Sequence, residues 1–166
     1  MTNTNPLGVP PFIPCWMGAA PICFYIDPSM EFCRDLILLA LETWRRERTA
    51  DNKPLRLCFS ETKFVGQGRT IEFRLGPLIG LLGLAMYPPP LITEPYSGNI
   101  IINNNVNWQD PRWHDLLLPL LIHEVGHALG LPESYFAESV MCPNIDYRKV
   151  NLALVDKIAV RTLYGS

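Results

Sequence analysis

Histidine is scarce in this chain, with three in 166 residues, and the stretch between Asp51 and Asp110 holds neither histidine nor aspartate. Hard cations want several oxygen ligands, and zinc wants nitrogen, thiolate or carboxylate. The only acids in that stretch are Glu61, Glu72 and Glu94, too few and too scattered for a cage. No structural zinc or calcium is therefore expected there, and packing by Leu81, Leu82, Leu84 and Ile100 to Ile102 should hold the region instead. The five cysteines (Cys15, Cys23, Cys33, Cys58 and Cys142) lack CxxC spacing. They read as isolated thiols rather than a zinc knuckle or a disulfide framework. No apolar run approaches the roughly 18 residues of a membrane-spanning helix, so no membrane partner is expected. Charged residues are only 18% of the chain and the net charge is −2. The basic residues are scattered apart from Arg45-Arg46-Glu47-Arg48, which suits a helix C-terminus, so nucleic-acid binding has little support. Residues 1–14 lack a basic region followed by an apolar block and do not read as a signal peptide, which leaves location open.

What is present is apolar: 48% of residues, enough for one buried core. Residues 1–20, rich in Pro, Gly and Asn, read as an extended arm; residues 21–166 read as a single domain, expected to act as a monomer. Strands are expected over 21–27, 55–60, 70–75 and 98–102, with a short edge strand inside 78–87 ended by Pro88-Pro89-Pro90. A helix over 30–48 should bury Phe32, Leu36, Leu39, Ala40 and Trp44. A second helix should begin between Leu116 and Pro119, because proline fits the first turn, and end at Gly130. A third, over 151–163, should bury Leu152, Val155, Ala159 and Leu163.

The chemistry concentrates in His123-Glu124-Val125-Gly126-His127. Residues four apart share a helix face, so His123 and His127 can offer two imidazole nitrogens to one metal ion. Glu124 adjoins the first ligand and can take a proton from water activated by zinc. Gly130 lets the chain leave the helix in a left-handed turn, so that Glu133 can come back toward the ion. Two arrangements remain open: Glu133 closes a two-histidine, one-carboxylate site, or it points to solvent. His114 should cap or precede the helix, and Glu138 is a weaker alternative ligand in the following loop.

The run from His123 to Leu131, with Ser139-Val140-Met141-Cys142-Pro143 downstream, resembles the zinc helix and Met-turn of the matrixins, a branch of the metzincin metallopeptidases. Leu38 to Trp44, Ala85 to Pro89 and the ending Asp156 to Gly165 are looser matches to the same family. The resemblance implies a metzincin-like α/β (α+β) fold: a twisted five-stranded mixed sheet with three helices, and a cleft that cuts extended peptides with one catalytic Zn2+. It implies that His123 and His127 hold the ion, Glu124 is the general base, and Met141 forms the base beneath the site. Pro143 and Tyr147 would wall the substrate pocket, and Ala85 would lie on the edge strand beside the peptide or protein substrate. The family's third ligand is usually histidine, where this chain has Glu133. Its usual structural zinc and calcium ligands are missing here. A binding module on the same fold, with catalysis lost, is the alternative.

Overall fold

The computed structural model describes residues 15–165 except 19, 67 and 90–97. Five strands, β1 (Ile22–Ile26), β2 (Phe59–Glu61), β3 (Thr70–Gly76), β4 (Gly83–Ala85) and β5 (Ile100–Asn103), form one sheet in the order β2-β1-β3-β5-β4. The first four in that order are parallel to their neighbours, and β4 runs antiparallel to β5 at the edge. Alternation puts Ile22, Phe24 and Ile26 on one face of β1, and all three are buried; Ile71, Phe73, Ile100 and Ile102 join the same core. Two long helices, α1 (Arg34–Arg45) and α2 (Pro111–Ala128), pack against one another, and the Trp44 indole N–H donates to the Ile122 carbonyl at 2.9 Å. The C-terminal helix α3 (Leu154–Tyr164) closes the core with Val160 and Tyr164.

Several expectations require correction. The first helical segment opens as a 3-10 turn over Pro28–Cys33, capped by the Asp27 side chain, and becomes α-helical only at Arg34. Its buried face is Ile37, Ala40, Leu41 and Trp44; Phe32 and Leu39 face solvent and Leu36 is half-buried. The second strand is confined to Phe59–Glu61. Leu55 and Leu57 are buried, but the Arg56 amide donates to the Tyr164 carbonyl at 2.7 Å, so their alternation reflects packing near the C-terminus and not a sheet ladder. Helix α2 starts at Pro111, two turns before the expected position, where the Asp110 carboxylate accepts from the Arg112 amide. Pro119 therefore lies inside it. The bond lost there is to the carbonyl of Asp115, an exposed residue, so water can satisfy the orphaned oxygen. The buried face of α3 is Asp156, Val160 and Tyr164, one position on from the apolar set expected, whose four members are only half-buried. Leu81 is half exposed, and Leu82 and Leu84 are only partly buried, so leucine packing does not hold the β3–β4 connection.

Trp16 anchors the described part of the N-terminal arm. It is buried, and its indole N–H donates to the Ala128 carbonyl at 2.8 Å, at the C-terminal end of α2. Residues 1–14 and Glu94 lie outside the described residues. Among the described residues no helix is long and apolar enough to cross a membrane, and the five cysteines are unpaired.

Candidate metal centre and cleft

One turn of α2 separates His123 from His127, and both side chains emerge from the same buried face. Each imidazole is oriented by a backbone carbonyl. His123 Nδ1 lies 2.8 Å from the Val140 oxygen, and His127 Nδ1 lies 2.8 Å from the Leu131 oxygen. A carbonyl only accepts, so both Nδ1 atoms carry the proton and both Nε2 lone pairs remain open. Those two Nε2 atoms converge to 3.1 Å. Two lone pairs at that distance repel unless a proton or a cation sits between them. Burial and the neighbouring His127 both hold the His123 pKa below its usual value, which disfavours the proton.

Glu133 completes the group. The chain leaves α2 at Gly130, with φ of 107°, and the Leu131 amide donates back to the Gly126 carbonyl at 2.9 Å. This turn brings Glu133 Oε1 to 3.4 Å from His127 Nε2 and 3.7 Å from His123 Nε2. The donor triangle therefore has edges of 3.1, 3.4 and 3.7 Å. Ligands about 2.0–2.1 Å from a tetrahedral zinc stand roughly 3.3 Å apart, so the three donors fit that ion with small adjustments. Among the described residues, His123, His127 and Glu133 form the group of metal-type donors gathered this closely. The Glu133 side chain is about half exposed, and neither His114 nor Glu138 belongs to the group. His114 lies within α2, its Nδ1 against the Trp108 carbonyl at 3.2 Å.

Glu124 is buried, and burial pushes its carboxyl up to about 8, with the negative charge of Glu133 adding to the effect. Its carboxylate lies against β4 where there is no side chain: a Cβ on Gly83 would stand 2.6 Å from Glu124 Oε1. Met141 packs beneath α2 in the same manner. A Cβ on Gly126 would stand 2.2 Å from the Met141 sulfur and 2.9 Å from Trp44 Cζ2.

These groups open onto a cleft of about 410 Å³. It is lined by Gly80 to Ala85 from the β4 edge and by Leu120, Pro143 and Ile145, together with His123, Glu124, His127 and Glu133. Ala85 and Pro143 both line the cleft. Tyr147 is 62% exposed and is not among the lining residues; its ring lies beneath the Arg148 guanidinium. Tyr87, whose place in the sequence carries no catalytic motif, also lines the cleft, with its hydroxyl 3.5 Å from His127 Nδ1. Also unforeseen is a buried support behind the Met141 loop. The Asp156 carboxylate accepts from the Val140 amide at 3.0 Å, the Ala153 amide at 2.8 Å and the Ser139 hydroxyl. The Ala153 bond is local, a helix N-cap amide met by the acid three residues on, but the Ser139 and Val140 partners lie 16 to 17 residues away, and an isolated aspartate gives no signal of those.

Comparison with known proteins agrees with the geometry. The sequence profile of the matrixins matches residues 40–165. The chain belongs to the matrixin family. Matrixins are zinc-dependent endopeptidases as a group, and the five-stranded mixed sheet with its helices is their α/β catalytic-domain architecture. Over 86 residues this matrixin is 34% identical to karilysin of Tannerella forsythia, covering 52% of the chain and 18% of that protein. It is 35% identical to human matrix metalloproteinase-27 over 102 residues, 59% of the chain and 19% of the relative. Metalloendoproteinase 2-MMP of Arabidopsis thaliana is 29% identical over 157 residues, 84% of the chain and 39% of the relative. The chain thus spans at most about two fifths of the length of these three relatives.

Proposed function

We propose that this chain is a zinc-dependent endopeptidase that cleaves extended peptides, with His123, His127 and Glu133 as metal ligands and Glu124 as general base. The observation that carries this reading is the donor triangle of three side chains, two of them held by backbone carbonyls so that only Nε2 faces the common point. Zinc held there would supply Lewis acidity, polarising a scissile carbonyl and lowering the pKa of a water beside it. In its ionised form Glu124 takes the proton of the attacking water and delivers it to the departing amine, a role its position beside both histidines and the cleft suits.

The chain's other residues orient the substrate. β4 is an edge strand, with β5 on one side and the cleft on the other. An extended peptide can add to that open edge through main-chain hydrogen bonds, with Ala85 offering little steric obstruction. Leu120, Pro143 and Ile145 form an apolar wall that suits an apolar side chain after the scissile bond. One catalytic zinc suffices for this scheme, with no structural zinc or calcium. The test is digestion of casein and of a peptide library by the zinc-supplemented protein, wild type beside Glu124→Ala. Cleavage by the wild type alone is expected; equal signal from both proteins ends the enzyme reading.

A further inference from the structure

The segment between β3 and β4, residues 77–82, forms the upper rim of the cleft through Gly80, Leu81 and Leu82. Its side chains grip little: Ile79 at its tip is 99% exposed and Leu81 is 50% exposed. Asn103, the last residue of β5, is by contrast buried, and every polar atom it has is engaged. Its side-chain amide donates to two carbonyls of the rim, Leu78 at 3.0 Å and Leu81 at 2.7 Å. Its Oδ1 accepts from the Asn105 amide at 2.9 Å, which fixes which side of the amide faces the rim. Its backbone amide donates to the Leu82 carbonyl at 2.9 Å, and its carbonyl accepts from the Trp108 indole at 2.8 Å.

A residue with one buried NH2 group aimed at two carbonyls three residues apart acts as a clasp. We infer that Asn103 is the positioning residue for the substrate-binding rim: its side-chain amide holds residues 78–82 against β5 and so sets the open edge of β4 for an incoming peptide. Gly80, with φ of 72°, is the bend between the two clasped carbonyls. The two N–H donors draw the two rim oxygens toward one neutral group. This inference rests on the endopeptidase reading for its effect on catalysis, but not for its effect on the rim itself.

The isosteric Asn103→Asp keeps the shape and the acceptor for Asn105 while losing both donors, and turns an oxygen toward two carbonyl oxygens. Two measurements on the full zinc-supplemented chain test it. In the Glu124→Ala background, where self-cleavage contributes nothing, nicking by added chymotrypsin at Leu78 and Leu81 should accelerate about tenfold or more, because two hydrogen bonds no longer oppose local opening. With active protein, KM for a fluorogenic peptide pool should rise severalfold while kcat and zinc affinity by chelator competition stay near wild type. Nicking at the wild-type rate, or an unchanged KM, overturns the role. Should Asn103→Asp fail to fold, Asn103→Ala, smaller and uncharged and likewise without the two donors, carries the same two measurements with the same outcomes. An inactive wild type would end the endopeptidase reading alone, since the nicking measurement still decides whether Asn103 holds the rim.

Discussion

Asp156 on α3 accepts a hydrogen bond from the amide of Val140 at 3.0 Å, and the carbonyl of that same Val140 holds His123 Nδ1 at 2.8 Å. A carboxylate about one peptide unit removed from the candidate ligand thereby governs its orientation. Removing it leaves the Val140 and Ala153 amides and the Ser139 hydroxyl without their acceptor in a buried site. Each orphaned group costs about 1–3 kcal/mol, so Asp156→Ala should lose about 3 kcal/mol or more of folding stability. In a domain of this size that lowers Tm by about 10 °C. Zinc affinity by chelator competition should fall as well, because His123 loses its fixed carbonyl. A variant that melts with wild type and binds zinc as tightly would remove Asp156 from this role.

Gly126 poses a contest of sign. Alanine favours a helix interior over glycine by about 1 kcal/mol, so propensity predicts that Gly126→Ala stabilises α2. Packing predicts the reverse, because the added Cβ would meet the Met141 sulfur at 2.2 Å and Trp44 at 2.9 Å. Overpacking a well-filled core costs about 1–3 kcal/mol, and here the clash falls on a fully buried Trp44 that cannot swing away. We expect net destabilisation of about 1–2 kcal/mol by urea denaturation. A stabilised variant would mean that Met141 moves freely and is no fixed floor for the site.

Much of this was legible in the sequence, and the boundary of legibility has a physical form. The pair His123 and His127 follows from helical periodicity, which is local. The strands Ile22–Ile26 and Thr70–Gly76 follow from alternation, also local. What failed depends on partners far along the chain. Leu55 and Leu57 alternate like a strand, but the Arg56 amide between them meets the carbonyl of Tyr164. The apolar set expected to face the core of α3 is displaced by one position because Asp156, in the first turn, is buried, where it accepts from the Val140 and Ala153 amides and the Ser139 hydroxyl. Proline at 119 suggests a helix start between Leu116 and Pro119, but an equally good start signal, the Asp110 cap followed by Pro111, stands eight residues earlier and is the one the fold uses. Tyr147, which the resemblance would put beside the pocket, is exposed, whereas Tyr87, two residues past β4, lies near His127, a contact no local pattern announces.

The cysteines should differ in reactivity according to burial. Cys33 is buried, and its thiol is pushed up to about 12, so almost no thiolate exists near neutral pH. Cys58 is exposed. Native-state alkylation at about pH 8 followed by peptide mass mapping should label Cys58 within minutes and leave Cys33 unlabelled until the protein is denatured, as the thiolate is the reacting form. The sign runs one way: raising the pH speeds labelling at Cys33 only as it approaches that elevated value. Equal labelling of the two in native protein would mean that the core around Met30 and Ile37 opens far more often than its burial implies.

Glu133 is the half-exposed member of the donor triangle, and three variants separate what each residue contributes. A ligand that binds only the folded state stabilises it by about 2.7 kcal/mol at a hundredfold excess over Kd, so zinc should raise the wild-type Tm by about 5–10 °C. Calcium should give no comparable shift, since Glu61 is engaged by Arg34 and Glu72 stands apart on β3. His127→Ala removes one nitrogen of the triangle together with the ring that Leu131 orients, and should abolish the zinc-dependent shift. Glu124→Ala should keep that shift and lose cleavage, because Glu124 lies outside the donor group. Glu133→Ala should fall between, with zinc affinity reduced about tenfold to a hundredfold as three protein donors become two. Full zinc occupancy in Glu133→Ala would leave Glu133 beside the ion only as an acid at 3.4 Å from His127, and a two-histidine site completed by water would take the place of the carboxylate-closed one.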